Sequence, residues 1–294
     1  MQVGVTWPLL VAVHARLLEW PMAGWLARSV VCVVGGVILC ASPTVACDLP
    51  PGEFVTVSAV EDGETLRLSD GRTVRLAGVK APAPPLGWKG DEPWPFVAEA
   101  KDRLARLLPA DTKVELRFDE RREDRHGHVL AQVYLAQGEG RVWLQDALVA
   151  EGSARVYVLP GMQACASALL AREAEARKAR RGLWRSWAYR IRDALDVEGL
   201  GRLTRTYQLV EGTVHAVGEG KKRLYANFAP DWRQDFTIVI DRKSLARFEA
   251  AGLELGHLAD ARVRVRGWLE WWNGPMIAAS EPEQIEILRP ASPP

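Results

Sequence analysis

The chain has 294 residues and a formal net charge of +1, with 38 Lys and Arg against 37 Asp and Glu. That length supports two modest domains, each able to bury its own core. The even charge balance excludes a globally basic polyanion binder, so any nucleic-acid contact has to come from local patches.

The first element is a targeting segment. Val30–Ala41 is an apolar run too short to span a bilayer comfortably, Arg28 precedes it, and small residues ending in Thr44-Val45-Ala46 follow. This is the order of a secretory leader over residues 1–46, cleaved after Ala46, with an uncleaved anchor as the alternative. Met22 would open a leader of ordinary length, making residues 1–21 an over-extended gene start. Removal of the leader discards Cys32 and Cys40 and leaves Cys47 and Cys165. In an oxidising compartment that pair is expected to form one disulfide. The alternative is a lipidated Cys47, which Thr44 three positions earlier disfavours. The mature protein is therefore expected to be exported, periplasmic or secreted, with no membrane span.

Residues 47–189 read as one domain. Strand patterns run through FVTVSAV, TLRLSDGRTVRLAGV, KVELRF and HVLAQVYL, with a tight turn at Asp70-Gly71 and a longer polar connection over 119–127. The spacing of Phe96, Ala100, Leu104, Leu107 and Leu108 predicts a helix closed by Pro109. Further helices are expected over Leu144–Ala150 and Cys165–Arg181, ended by Gly152 and Gly182. Five strands with inserted and appended helices predict a mainly β, α+β domain, a small closed barrel of the oligonucleotide-binding type. Residues 190–205 read as a linker. Residues 206–290 then repeat the order of three strands, a helix near Lys243–Ala251 and two or three strands, which predicts a second small barrel of the same class.

Within the first domain, the DGET turn, VRLAGVKAP, the Glu99-Ala100 pair, DRHGHVLAQVY, LQDALVAEGSARV and the closing GLW follow one another in a set order. In that ordered set the chain resembles the staphylococcal nuclease (thermonuclease) family, from about Phe54 to Trp184. More loosely, VRVRGWLEWWNGPMI and PEQIEIL resemble the accessory β domain on some bacterial proteins of that family. The resemblance implies phosphodiester hydrolysis with Ca2+, a glutamate that activates water and two arginines on the phosphate. It places the first metal aspartate at Glu64, whose carboxylate still suits a hard cation on a longer arm. The first arginine is kept as Arg75. The second metal aspartate falls on Lys80, a charge reversal. A threonine that ligates through its main-chain oxygen falls on Ala81, the general-base glutamate on Ala83, and the second arginine on His128, which has neither a permanent charge nor a fork.

One metal ligand, the base and one arginine are thus replaced, and loss of one such group removes roughly 10²–10⁴-fold in rate. The expectation is a degenerate nuclease without normal Ca2+-dependent activity, its cation replaced by a Lys80–Glu64 ion pair. It would be kept to bind nucleic acid or an envelope protein. The alternative is an active, divergent phosphodiesterase using Glu64, Arg75 and His128, with Ca2+ as its cofactor. Asp91 and Glu92 read as solvated loop carboxylates. His126 and His128 read as turn residues in preference to a zinc pair.

In the second domain Arg262, Arg264, Arg266 and Trp268 share one face of a strand and Val263, Val265 and Leu269 the other. Basic groups interleaved with an aromatic suit single-stranded nucleic acid. The competing expectation is a solvated face with tryptophans packed between the barrels. Trp271 and Trp272 follow at the Asn273-Gly274 turn.

Overall fold

The alternating residues 53–76 fold as three antiparallel strands, β1 (Glu53–Val60), β2 (Thr65–Leu68) and β3 (Thr73–Leu76), in a computed structural model that describes residues 47–137 and 140–291. Their inward positions Val57, Leu66, Leu68, Val74 and Leu76 are buried in the first core. A two-residue strand, β4 (Val79–Lys80), and a helix, α1 (Val97–Leu107), lead to β5 (Thr112–Arg117) and β6 (Val129–Gln137). β5 pairs with β1 and β6 with β5, and β6 then runs parallel to β3. The circuit β1-β2-β3-β6-β5 is a closed five-stranded barrel. β7 (Gly140–Trp143), α2 (Leu144–Ala150), β8 (Arg155–Val156) and α3 (Ala166–Lys178) follow, and β8 pairs with β4. Residues 1–46, read above as a leader, lie outside the described residues, and Met22, Cys32 and Cys40 with them.

The segment expected as a linker carries structure of its own. β9 (Arg192–Asp193) runs parallel to the first strand of the second half, and α4 (Val197–Gly201) places Leu200 in the second core. The rest of the second half is β10 (Tyr207–Thr213), β11 (Ala216–Glu219), β12 (Arg223–Asn227), β13 (Thr237–Asp241), α5 (Leu245–Ala250), β14 (Arg262–Trp271), β15 (Pro275–Ala279) and β16 (Ile285–Arg289). The stretch 207–219 breaks at Val214-His215, so β10 pairs with β14 while β11 pairs with β12. β12 pairs with β13, β13 runs parallel to β15, and β15 pairs with β14. Both halves therefore use one strand order, with a helix between the third and fourth strands and a parallel pairing of the third with the fifth.

Each barrel has its own hydrophobic cluster, yet the two form one compact unit. Polar groups join them. Arg155, almost fully buried, donates to the Tyr207 carbonyl at 2.7 Å and lies 5.0 Å from the Tyr189 ring. Tyr207 Oη donates to the Val156 carbonyl at 2.9 Å. Among the described residues no helix is long and apolar enough to cross a membrane.

Cys47 and Cys165 form a disulfide across a sequence separation of 118, tying the start of the described chain to the N-terminus of α3. A closed loop of this length is worth about 4–5 kcal/mol in the chain-entropy account. Reduction is therefore expected to lower Tm by roughly 10 °C. Thermal melts with and without reductant check this, and an unchanged Tm would show that the bond contributes little.

Candidate functional site

Three short segments converge at one end of the first barrel. In the turn before β2, the Asp62 carboxylate accepts the Glu64 N–H at 2.8 Å and fixes the entry to the strand. Gly63 is required there, because an added Cβ would lie 2.9 Å from the methyls of both Ala81 and Ala100. Any side chain would push the turn away from α1 and carry Glu64 with it. Arg75 is brought alongside by the β2–β3 register, in which Thr65 faces Arg75. Lys80 is held by β4, whose partner β8 sets Lys80 opposite Arg155.

The Glu64 carboxylate is buried and fully engaged. One oxygen accepts from the Arg75 guanidinium and from Lys80 Nζ, the latter at 2.5 Å. The other accepts the Ala81 N–H at 2.6 Å. Arg75 also faces Asp124, whose carboxylate lies 3.6 Å from its second terminal nitrogen. Burial alone would lower the Arg75 pKa, but Glu64 and Asp124 outweigh it and hold the guanidinium above its ordinary value. Burial likewise pushes the Asp124 carboxyl up. The N–H groups of His128 and His126 and the His128 ring outweigh that push and bring the pKa down to about 2.

This donor set does not fit Ca2+. The ion takes six to eight oxygens at about 2.3–2.6 Å, whereas the pocket offers one carboxylate already shared by two cations and an N–H. Among the described residues no group of three or more His, Cys, Asp or Glu is placed to hold a metal. Ala83 is exposed and carries only a methyl. His128 Nδ1 lies 3.0 Å from Asp124 Oδ2, so the imidazole is tied to the carboxylate that also faces Arg75. The His126 and His128 rings stand 5.9 Å apart. Asp91 and Glu92 are exposed loop carboxylates.

A cleft of about 650 Å3 opens beside the ion pair. Arg75, Lys80, Arg121 and Arg125 line it against one carboxylate, Asp124, and Tyr157 and Trp268 form an aromatic wall. Residues 73–186, from β3 to just past α3, match the family described as staphylococcal nuclease homologue. That segment is a staphylococcal nuclease homologue domain. It contains Arg75, Lys80, Ala81, Ala83 and His128, while Glu64 precedes it. Among curated proteins none matches the chain.

Arg121, Arg125, Asp124 and Tyr157 had no assigned role in the sequence reading. The signal for Asp124 was present, since an Asp two and four residues before His126 and His128 is placed to cap a turn. It accepts both of their N–H groups, at 2.7 and 3.0 Å.

The basic strand of the second domain is not an open stripe. Val263, Val265 and Leu269 fill the core as expected. Arg262 and Arg264 are both bound to Glu211, at 2.8 and 2.7 Å. Arg266 is almost fully buried on Glu173 at 2.8 Å, and its other partner is Glu286. Trp268 donates to Tyr157 Oη at 3.1 Å, so of the four residues it alone reaches the cleft of the first domain. An internal carboxylate faces each of these arginines, which removes the charge a phosphate chain would need there.

Proposed function

We propose that this chain is an exported nuclease-type scaffold that has lost metal-dependent hydrolysis and uses its basic cleft to hold phosphate-bearing ligands, single-stranded nucleic acid foremost. The observation that carries this reading is the engagement of Glu64 by Arg75, Lys80 and the Ala81 N–H. A divalent cation would have to displace an ammonium from that carboxylate. Ala83 supplies no base, and groups that act together are not replaced one at a time. The cleft presents Arg121 and Arg125, which form no ion pair among the described residues, beside the rings of Tyr157 and Trp268, a combination that pairs phosphates and stacks bases. Export is supported by the leader-like N-terminus and by the Cys47–Cys165 bond, which suits an oxidising compartment.

Calcium titration by calorimetry tests the first part. No one-site binding in the micromolar range is expected, and a clear one-site isotherm would sink it. Binding of a single-stranded DNA oligomer tests the second. Affinity should fall steeply with salt, and Arg125→Ala should weaken it, since Arg125 lines the cleft without holding Glu64. No affinity at low salt removes the binding reading.

The second reading, an active divergent phosphodiesterase, draws on Asp124, which ties His128 beside Arg75 as an orienting carboxylate would for a general base. It ranks lower because His126, not His128, lines the cleft. Cleavage of denatured DNA or RNA by the unmodified protein would reverse this order.

A further inference from the structure

The second barrel carries a groove that the nuclease reading does not use. It holds about 460 Å3, within the roughly 300–1,000 Å3 typical of ligand sites. Strands β11, β12 and β13, the 228–236 loop and the β14–β15 turn all contribute to it. Trp232 and Trp272 lie on its rim at 48 % and 72 % exposure, a large apolar area to leave in water unless something covers it. The loop carrying Trp232 is held in shape. Buried Asp235 accepts the Phe228 and Ala229 N–H groups at 2.7 and 3.1 Å. Gly274 in the opposite turn packs so closely that an added Cβ would lie 2.4 Å from the Asp235 carbonyl. The two tryptophans thus belong to segments that touch at their bases, and the groove is built into the fold.

Charge decides which ligand fits. The lining contains one arginine, Arg223, and one glutamate, Glu219. Arg223 is bound to Asp241 at 3.1 Å, and Glu219 to Arg242 at 2.9 Å. The Arg233 guanidinium lies 4.6 Å from the centre of the Trp232 ring and 4.0 Å from the Asp231 carboxylate. A nucleic-acid site needs free cations to replace counterions; both charged side chains that line this groove are already paired, and Lys221 and Lys222, exposed in the β11–β12 turn, stand outside the lining. What remains is a set of flat apolar faces interspersed with neutral polar groups on Tyr225, Asn227 and Thr237. That suits a ligand with apolar ring faces and many hydroxyls, and barrels of this class take oligosaccharides as well as oligonucleotides on the corresponding face.

We propose that this groove binds an uncharged oligosaccharide, its ring faces against Trp232 and Trp272 and its hydroxyls on Tyr225, Asn227 and Thr237. The inference is independent of what the first domain does. The test is saturation-transfer NMR and calorimetry on the full chain with neutral cello-, malto- and N-acetylglucosamine oligosaccharides. At least one series should bind saturably, with affinity unchanged as NaCl is raised. Trp272→Ala should weaken that binding about tenfold or more, the scale of one lost stacking contact. Its side chain is largely exposed, so the fold should survive, as near-UV circular dichroism can verify. Trp271→Ala, an exposed tryptophan outside the groove, should leave binding unchanged. The proposal falls if none of the three series binds, or if binding ignores Trp272→Ala. It also falls if an oligo-dT strand binds with steep salt dependence that Trp272→Ala abolishes, which would make the groove a nucleic-acid site.

Discussion

The triple variant Lys80→Asp, Ala83→Glu, His128→Arg is expected to cleave single-stranded DNA with calcium at least about 10³-fold faster than the unmodified protein, whose activity should lie near background. The changes act on different parts of one site. Lys80→Asp removes the ammonium from Glu64 and adds a second carboxylate, which turns a cation-bearing pocket into one that can hold Ca2+. Ala83→Glu supplies a proton acceptor on an exposed loop, and His128→Arg gives a second permanent charge beside Asp124. The backbone should tolerate all three, because Lys80 is fixed by pairing with β8, and Glu64 keeps Arg75 and the Ala81 N–H. Two carboxylates facing each other without an ion repel, so the variant should melt below the unmodified protein in chelator. Calcium should raise its Tm, as any ligand that binds only the folded state does. Lys80→Asp alone should gain the calcium-dependent Tm shift with little cleavage. A triple variant that binds calcium but cleaves nothing would show that more than these groups has been lost. Strong cleavage by the unmodified protein would overturn the reading of Lys80.

Much of the fold was legible in the sequence because strand alternation and turn chemistry are local. The Asp70-Gly71 turn lies between β2 and β3, Phe96–Leu108 became α1 to within a residue at each end, and β1, β2, β3, β5 and β6 closed as a barrel. What was missed is short or depends on distant partners. β4, β8 and β9 are two residues each and exist only through their pairing partners, which no local pattern encodes. The pair of Lys80 with Glu64 was foreseeable because the family resemblance places both at metal-ligand positions, whereas the basic cleft was not. Arg121 and Arg125 lie in a polar connection that reads as solvated loop until the fold turns it towards Arg75. The strand Arg262–Trp271 shows the limit most clearly. Alternation tells which residues face away from their own core, but not whether a second layer waits on that side. For Arg266 it does. The complementary sign sat in α3, where Glu173 shares a helical stripe with Leu169 and Ala176, both buried, so a carboxylate on an apolar face called for a cation from elsewhere.

That cation gives the second large prediction: Arg266→Ala should destabilise the protein by about 3–5 kcal/mol, the cost of breaking a buried ion pair from one side. Arg266 and Glu173 are both within 1 % of full burial, and their contact spans the two halves. Glu173 also accepts the Val156 N–H at 2.8 Å and Arg177 at 2.7 Å, while Glu286 takes Arg177 and Arg264 at 2.9 and 3.0 Å. Deleting Arg266 leaves the fully buried Glu173 with Arg177 as its remaining cation. At roughly 2–4 °C per kcal/mol for a protein of this size, Tm should fall by about 10 °C or more. A neutral pair, Arg266→Met with Glu173→Leu, removes both charges together and should recover much of the loss. The pH profile separates this account from simple loss of packing. Burial pushes the Glu286 carboxyl up, but Arg266 and Arg177 outweigh it and hold the pKa at about 2, below the ordinary 4.5. A depressed folded-state pKa contributes stability that is fully present above 4.5 and is lost as pH falls towards 2. Denaturant melts over that window should therefore show stability rising with pH, with a shallower rise in Arg266→Ala because its largest cause has gone. An equal slope in both proteins would mean that Arg266 acts on the junction through shape alone, and that the charges of Glu173 and Glu286 are answered elsewhere.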